Sequence, residues 1–319
     1  MKIGLIDVDG HNFPNLALMR ISAYHKARGD HVEWWWSDFE HYDIVYKSKV
    51  FSDTYSKDVP DPLNADKIIK GGTGYQIHLV NGKEEYDKES DTKLPDEIEH
   101  MFPDYSIYPQ FDFAVSMTSR GCPRGCSFCH VKSKEGCKSV KVANVSDFWN
   151  GQDRIKILDP NITACKDKYD LYQQYIDTGA MLDFTQGLDI RLITEKDMDY
   201  INQFKMGRPH FAWDNPQDDL KHKFEMFSKN FRRKTKIGTV YVLTNYNSTI
   251  EQDLYRIYTL RDLGFDPYVM IYNRPEADAI HRRLQSWCNN IKIFKKTESF
   301  EKYDLAIRRG NILEGQISF

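Results

Sequence analysis

Apolar runs of strand length alternate with helical stretches along most of the chain, and this pattern predicts a mixed α/β fold. Ile3 to Val8 is a compact apolar run followed by the turn Asp9-Gly10-His11-Asn12. Pro14 suits the first turn of a helix and Gly29 the position just past its end. Between them Leu16, Ala17, Met19, Ile21, Ala23 and Tyr24 make a mostly apolar helix. His31–Trp36, Asp43–Tyr46 and Lys67–Ile69 are the next predicted strands. Phe51–Asn64 is polar, contains Pro60 and Pro62, and reads as a loop. Strand–helix–strand order argues for a parallel sheet with crossovers, here a small doubly wound domain over residues 1–74.

Residues 75–110 read as a connector. Lys83 to Lys93 is charged and predicted to be exposed, and Leu94-Pro95-Asp96 opens a short helix that Pro103 ends. Tyr105, Tyr108 and Phe111 are predicted packing aromatics. Phe111, Phe113, Val115 and Met117 then fall at every second position, as on one face of a strand. Five more predicted strands follow, at Arg154–Leu158, Leu182–Gln186, Pro209–Trp213, Gly238–Thr244 and Pro267–Tyr272. Helical stretches lie near Asp167–Asp177, Glu195–Phe204, Asp219–Ser228, Ile250–Leu263 and Glu276–Cys288. Six strand–helix units in series predict an open, partial barrel over residues 111–293, with a tail over 294–319. In such barrels chemistry gathers at the C-terminal strand ends.

Composition narrows the class. The 319 residues carry 44 Lys plus Arg against 47 Asp plus Glu, a net charge of −3, so no basic field points to nucleic acid. No apolar run approaches the roughly 18 residues of a membrane span. The N-terminus runs straight into a strand pattern rather than a signal peptide, and the expected compartment is the cytoplasm. Six cysteines in a chain of this length are not a disulfide framework. Clustered ones read as metal ligands.

Three of them cluster, in Ser119-Arg120-Gly121-Cys122-Pro123-Arg124-Gly125-Cys126-Ser127-Phe128-Cys129-His130. The C-x3-C-x2-C spacing has no close fourth cysteine, whereas a closed iron–sulfur site takes four thiolates. Three thiolates on a 4Fe–4S cluster leave one iron open to a ligand. The alternative is a zinc site, with Cys122, Cys126 and Cys129 joined by His130 or Cys137. The loop falls at the C-terminal end of the first predicted barrel strand.

This spacing, with the aromatic Phe128 before the third cysteine, resembles the radical S-adenosylmethionine (radical SAM) superfamily. The resemblance covers roughly residues 111–290, and the cysteine triad is its one specific motif. It implies a 4Fe–4S cluster on Cys122, Cys126 and Cys129 whose open iron chelates SAM. It also implies reductive cleavage to a 5′-deoxyadenosyl radical that abstracts hydrogen from a substrate, with electrons from a small donor such as a flavodoxin or ferredoxin. The family's G-G-E motif after the second strand is missing here, and Asp159 or Asn161 would take its place toward the SAM amino group. Arg191 matches an arginine near the SAM carboxylate, with Gln186 beside it and Asp189 orienting it. Asp214 sits where a ribose-binding residue falls, Asn245 where a residue reaches the methionyl or ribose part, and Phe128 packs by the adenine. Trp213 is assigned to the core. The lysines at 132, 134, 138 and 141 follow the loop, and Arg232, Arg233, Lys234 and Lys236 form a second basic run. The usual account of such runs is a solvated face; beside the loop, the first would also suit an anionic substrate.

The first 74 residues resemble the cobalamin-binding-like domain found ahead of some radical SAM barrels. Asp9-x-His11 aligns with D-x-H-x-x-G, Ser48-x-Val50 with S-x-L, and Gly71-Gly72 with the later GG. The resemblance would make His11 a cobalt ligand held by Asp9. Pro14 in place of the glycine and the short Phe51–Asn64 segment depart from the pattern. The expectation is a doubly wound sheet that does not bind cobalamin tightly. A cobalamin-dependent methyltransferase and a zinc-stabilised binding module without catalysis are the alternative functions.

Overall fold

In the computed structural model, residues 1–91, 93–233 and 237–308 are described. Contacts divide the chain into two compact units, Met1–Leu182 and Asp183–Phe319. The protein is mixed α/β with parallel sheets.

The first unit opens with β1 (Lys2–Asp7), α1 (Leu16–Ala27), β2 (His31–Trp34), β3 (Tyr42–Ser48) and β4 (Ala65–Gly71). These strands form one parallel sheet in the order β2-β1-β3-β4. α1 starts where Asn15 accepts the Leu18 N–H, as an N-cap residue does. Its Leu18 and Ile21 meet Ile3 and Leu5 of the sheet and Ile98 of the segment read as connector. Met19 belongs to a second cluster with Tyr108, Phe113 and Val115. The core therefore runs without a break from the first sheet through the connector to the strand ahead of the cysteines.

The connector carries two elements. β5 (Ile77–Val80) and β6 (Lys83–Tyr86) pair as an antiparallel hairpin about Asn81-Gly82, both at positive φ. Consecutive Asn-Gly at positive φ is the two-residue turn that suits a right-twisted hairpin. α2 (Asp96–Glu99) is the short helix expected after Pro95.

β7 (Phe113–Ser116), β8 (Ser119–Arg120), α3 (Val131–Glu135), β9 (Val140–Lys141), β10 (Arg154–Ile157), α4 (Lys168–Thr178) and β11 (Met181–Phe184) follow. The sheet order is β11-β10-β7, and β10 runs parallel to β7. The division between the two units falls inside β11.

The second unit continues with α5 (Glu195–Ile201), β12 (His210–Ala212), α6 (Lys221–Asn230), β13 (Thr239–Thr244), α7 (Ile250–Asp262), β14 (Asp266–Ile271), α8 (Ala279–Asn289), α9 (Ile291–Lys296) and α10 (Phe300–Arg308). β12, β13 and β14 form a parallel sheet in chain order. Its buried side joins Phe211 to Phe224, Phe227 and Phe265 edge-on, and Val240, Val242 and Val269 are fully buried. Trp213 is buried and stacks on Phe224, as its assignment to the core requires. Part of the predicted tail is thus helical, while 309–319 lies outside the described residues, as do Lys234 and Lys236 of the second basic run. Among the described residues no helix is long and apolar enough to cross a membrane.

Candidate functional site

The cysteine loop is built between two short strands. β8 pairs antiparallel with β9, Ser119 opposite Lys141 and Arg120 opposite Val140, which closes the base of the intervening loop. Gly121 follows at φ +87°, and a Cβ there would stand 2.1 Å from the Lys138 carbonyl oxygen. Only glycine allows that backbone approach at that dihedral. The Gly121 N–H donates to the Glu135 carboxylate at 3.2 Å and the Cys122 N–H to the Gly136 carbonyl at 3.2 Å. The Cys129 N–H returns to the Cys126 carbonyl at 3.1 Å, turning the chain between the last two cysteines.

None of the three is in a disulfide; Cys122 and Cys126 are half-buried and Cys129 is exposed. Phe128 is half-buried between them in sequence. The Lys132 side chain folds back over Gly125, its ammonium 3.3 Å from where a Cβ would stand. The other lysines of the run differ: Lys141 pairs with Asp170 at 2.8 Å. Cys137 is exposed, and Cys165 is buried with its thiol pKa pushed up by that burial.

The end of β10 supports this loop. Asp159 is 2% exposed. Its carboxylate accepts the Thr118 N–H at 2.7 Å, the Thr118 hydroxyl at 2.9 Å, and both the N–H and hydroxyl of Ser119 at 2.6 Å. Burial raises its pKa to about 6 in spite of these donors. Asn161 caps the turn after the strand: its Oδ1 accepts the Ala164 N–H at 3.2 Å and the Thr163 hydroxyl at 2.6 Å. Its Nδ2 donates to the Cys122 Sγ at 3.5 Å. Both residues expected to face SAM thus hold the cysteine loop, Asp159 at its root and Asn161 at its first sulfur.

The second unit gathers its own strand-end residues. Asp189 accepts the Arg191 Nε–H at 2.6 Å, and Arg191 reaches Asp218 at 3.4 Å. Asp189 therefore orients Arg191, as expected. Burial raises the pKa of Asp214, and the charges of Arg256 and Arg191 pull it back. Asn245, at φ 59°, donates from Nδ2 to the Tyr272 carbonyl at 2.9 Å and so ties the end of β13 to the end of β14. Gln186 is exposed.

Arg256 is the residue that sequence reasoning missed. It is 1% exposed and donates to the carbonyls of Trp213 at 2.6 Å, Asp214 at 2.8 Å and Leu243 at 3.0 Å, while Asp253 takes its charge. One guanidinium fork thereby fixes the ends of β12 and β13 where Asp214 stands. The signal was legible: Asp253 and Arg256 share the buried stripe of α7 with Ile257 and Leu260, where an unpaired charge would not be tolerated.

Residues 49–51 lie against the segment that leaves the first sheet: the Lys49 N–H donates to the Gly71 carbonyl at 3.0 Å and the Gly74 N–H to the Lys49 carbonyl at 2.9 Å. Asp9 accepts the Val50 N–H at 2.5 Å rather than orienting His11. The His11 ring packs edge-on against Trp34, with centroids 4.3 Å apart, and near Tyr108 at 5.8 Å. A Cβ on Gly72 would lie 2.3 Å from the Lys49 carbonyl oxygen, and one on Gly74 2.2 Å from that of Phe51. Of the two glycines aligned with the GG motif, Gly72 admits loop backbone, whereas Gly71 has open space around it. Lys47, fully buried, is held by the Val59 carbonyl at 2.6 Å, Asp61 at 2.6 Å and Asp58 at 3.2 Å. Lys49 pairs with Asp53.

The donor set suits thiolate ligation. Three cysteine sulfurs lie on one short loop, and a side-chain amide is directed at the first of them. No family model matches this chain, and no curated protein matches it significantly.

Proposed function

We propose that this chain is a radical SAM enzyme that cleaves SAM reductively and uses the product radical to abstract hydrogen from a substrate. The observation that carries the reading is the C-x3-C-x2-C loop. It follows the first strand of a parallel α/β sheet, and its first sulfur takes a hydrogen bond from the end of the adjacent strand. Cys122, Cys126 and Cys129 would hold a 4Fe–4S cluster, which supplies the electron that splits the SAM sulfonium. We further propose that the six strand–helix units form a partial barrel. In this reading Arg191 takes the SAM carboxylate as a charged fork and Asp214, held at its backbone by Arg256, takes the ribose. A small flavodoxin or ferredoxin is the proposed electron donor.

Cobalamin is left out of the proposal. The loop backbone beside Gly72 and Gly74 and the Asp9–Val50 hydrogen bond support a scaffold role for the first sheet.

Anaerobic reconstitution tests the reading. Purified protein should bind about four irons and four sulfides, lose them in Cys126→Ala, and release 5′-deoxyadenosine from SAM with dithionite. Stoichiometric zinc without iron in the wild type would overturn it in favour of a zinc-stabilised module.

A further inference from the structure

We infer that Asn161 sets the reduction potential of the cluster by donating its side-chain amide to the Cys122 sulfur; the inference rests on the function proposed above.

Hydrogen-bond partners fix the orientation of this amide. The Ala164 backbone N–H has no acceptor capacity, so the Asn161 atom it meets at 3.2 Å is the oxygen. The Thr163 hydroxyl bonds to the same oxygen at 2.6 Å. The atom facing Cys122 at 3.5 Å is therefore the NH2 group, which can only donate. A sulfur placed against a pure donor must accept, and it accepts better the more negative charge it carries.

The side chain is also held in place. Asn161 is 5% exposed, its carbonyl accepts the Ser139 hydroxyl at 2.9 Å, and it caps the turn over Ile162–Ala164. Such a donor aimed at a cluster sulfur stabilises the one-electron-reduced state over the oxidised one and raises the potential. For an enzyme that must reduce SAM, it sets how strong a donor is needed.

The experiment is a potentiometric titration of reconstituted wild type, Asn161→Asp and Asn161→Ala, with dithionite as reductant and electron paramagnetic resonance as readout. Asn161→Asp keeps an oxygen for Ala164 and Thr163 but puts a carboxylate where the donor was. Both variants should be harder to reduce. The reduced-to-oxidised ratio at fixed potential should fall about tenfold, equivalent to about 59 mV for one electron. Midpoints that coincide with wild type in both variants would overturn the inference while leaving the proposed function standing. Wild type carrying zinc and no cluster would overturn the proposed function itself. A second measurement needs no folded variant. Wild type labelled with 15N at asparagine side chains should show hyperfine coupling to the reduced cluster. Absence of that coupling would also overturn the inference.

Discussion

The Asp159 carboxylate accepts both the backbone N–H and the hydroxyl of Ser119, each at 2.6 Å, three residues ahead of Cys122. The bond pair fixes the root of the cysteine loop to the end of the neighbouring strand. Asp159→Asn turns one acceptor oxygen into a donor against donors. It should cost about 2–4 kcal/mol, the penalty of unmatched buried polar groups with charge involved. Urea denaturation of the metal-free protein measures it.

Asp159 also gives a pH signature. Its folded pKa, about 6, lies above the ordinary 3.8 of an aspartate, so the folded state holds the proton more tightly. This contribution to stability is full below about pH 4 and is lost as pH rises through 6. About two units correspond to about 3 kcal/mol. Wild-type stability should fall relative to Asp159→Asn over this window, and a flat difference between pH 4 and pH 7 would refute it.

Gly121→Ala should strain the loop twice, through positive φ and through the Lys138 carbonyl 2.1 Å from the added carbon. The dihedral alone costs about 1–2 kcal/mol. The protein should lose at least that in urea and should bind iron poorly, while Gly136→Ala, half-buried but with open space around it, should lose only the cost of its positive φ.

Arg256→Met removes the charge that pairs with buried Asp253 and the side-chain donor to three carbonyls. Breaking such a pair costs about 3–5 kcal/mol. Arg256→Lys should restore little, because one ammonium cannot span three carbonyls from two strand ends. Equilibrium unfolding of the two variants measures both effects.

Under the proposed function, Arg191→Ala and Asp214→Asn should each weaken SAM binding. Loss of one charged hydrogen bond is worth about 1.5–3 kcal/mol, or roughly 10- to 150-fold in affinity. Calorimetry on the reconstituted protein gives the dissociation constants, and unchanged values in both would remove these residues from the SAM site.

The strands were legible because each is a short apolar or alternating run, and β7, β10, β11, β12, β13 and β14 all lie where that pattern put them. The hairpin of β5 and β6 was not. Its Asn81-Gly82 turn sits among charged residues, and Leu79 is 68% exposed, so no buried face produced a periodic signal. β8 and β9 are two residues each, too short for any period. The three cysteines were visible from spacing alone, whereas the Asn161–Cys122 bond joins residues 39 apart in sequence and only the fold brings them together. Asp9 and His11 were paired on sequence nearness; the structure separates their tasks, because Val50 offers Asp9 a backbone N–H.

The link from β3 to β4 contains no helix, and near the C-terminal end of these strands the sheet is covered by the 49–64 segment. Lys47 and Lys49 are sealed there by Asp53, Asp58 and Asp61. Other parts of the sheet rest on hydrocarbon, with Ile6, Tyr42 and Val45 in one cluster and Ile3, Leu5, Leu18 and Ile21 in another. The cost of stripping water from a charge falls on warming, while apolar burial loses strength on cooling. The two kinds of cover therefore have opposite thermal characters. Cold should loosen the hydrocarbon side first, and the ionic seal is the part of this sheet that heat disturbs least.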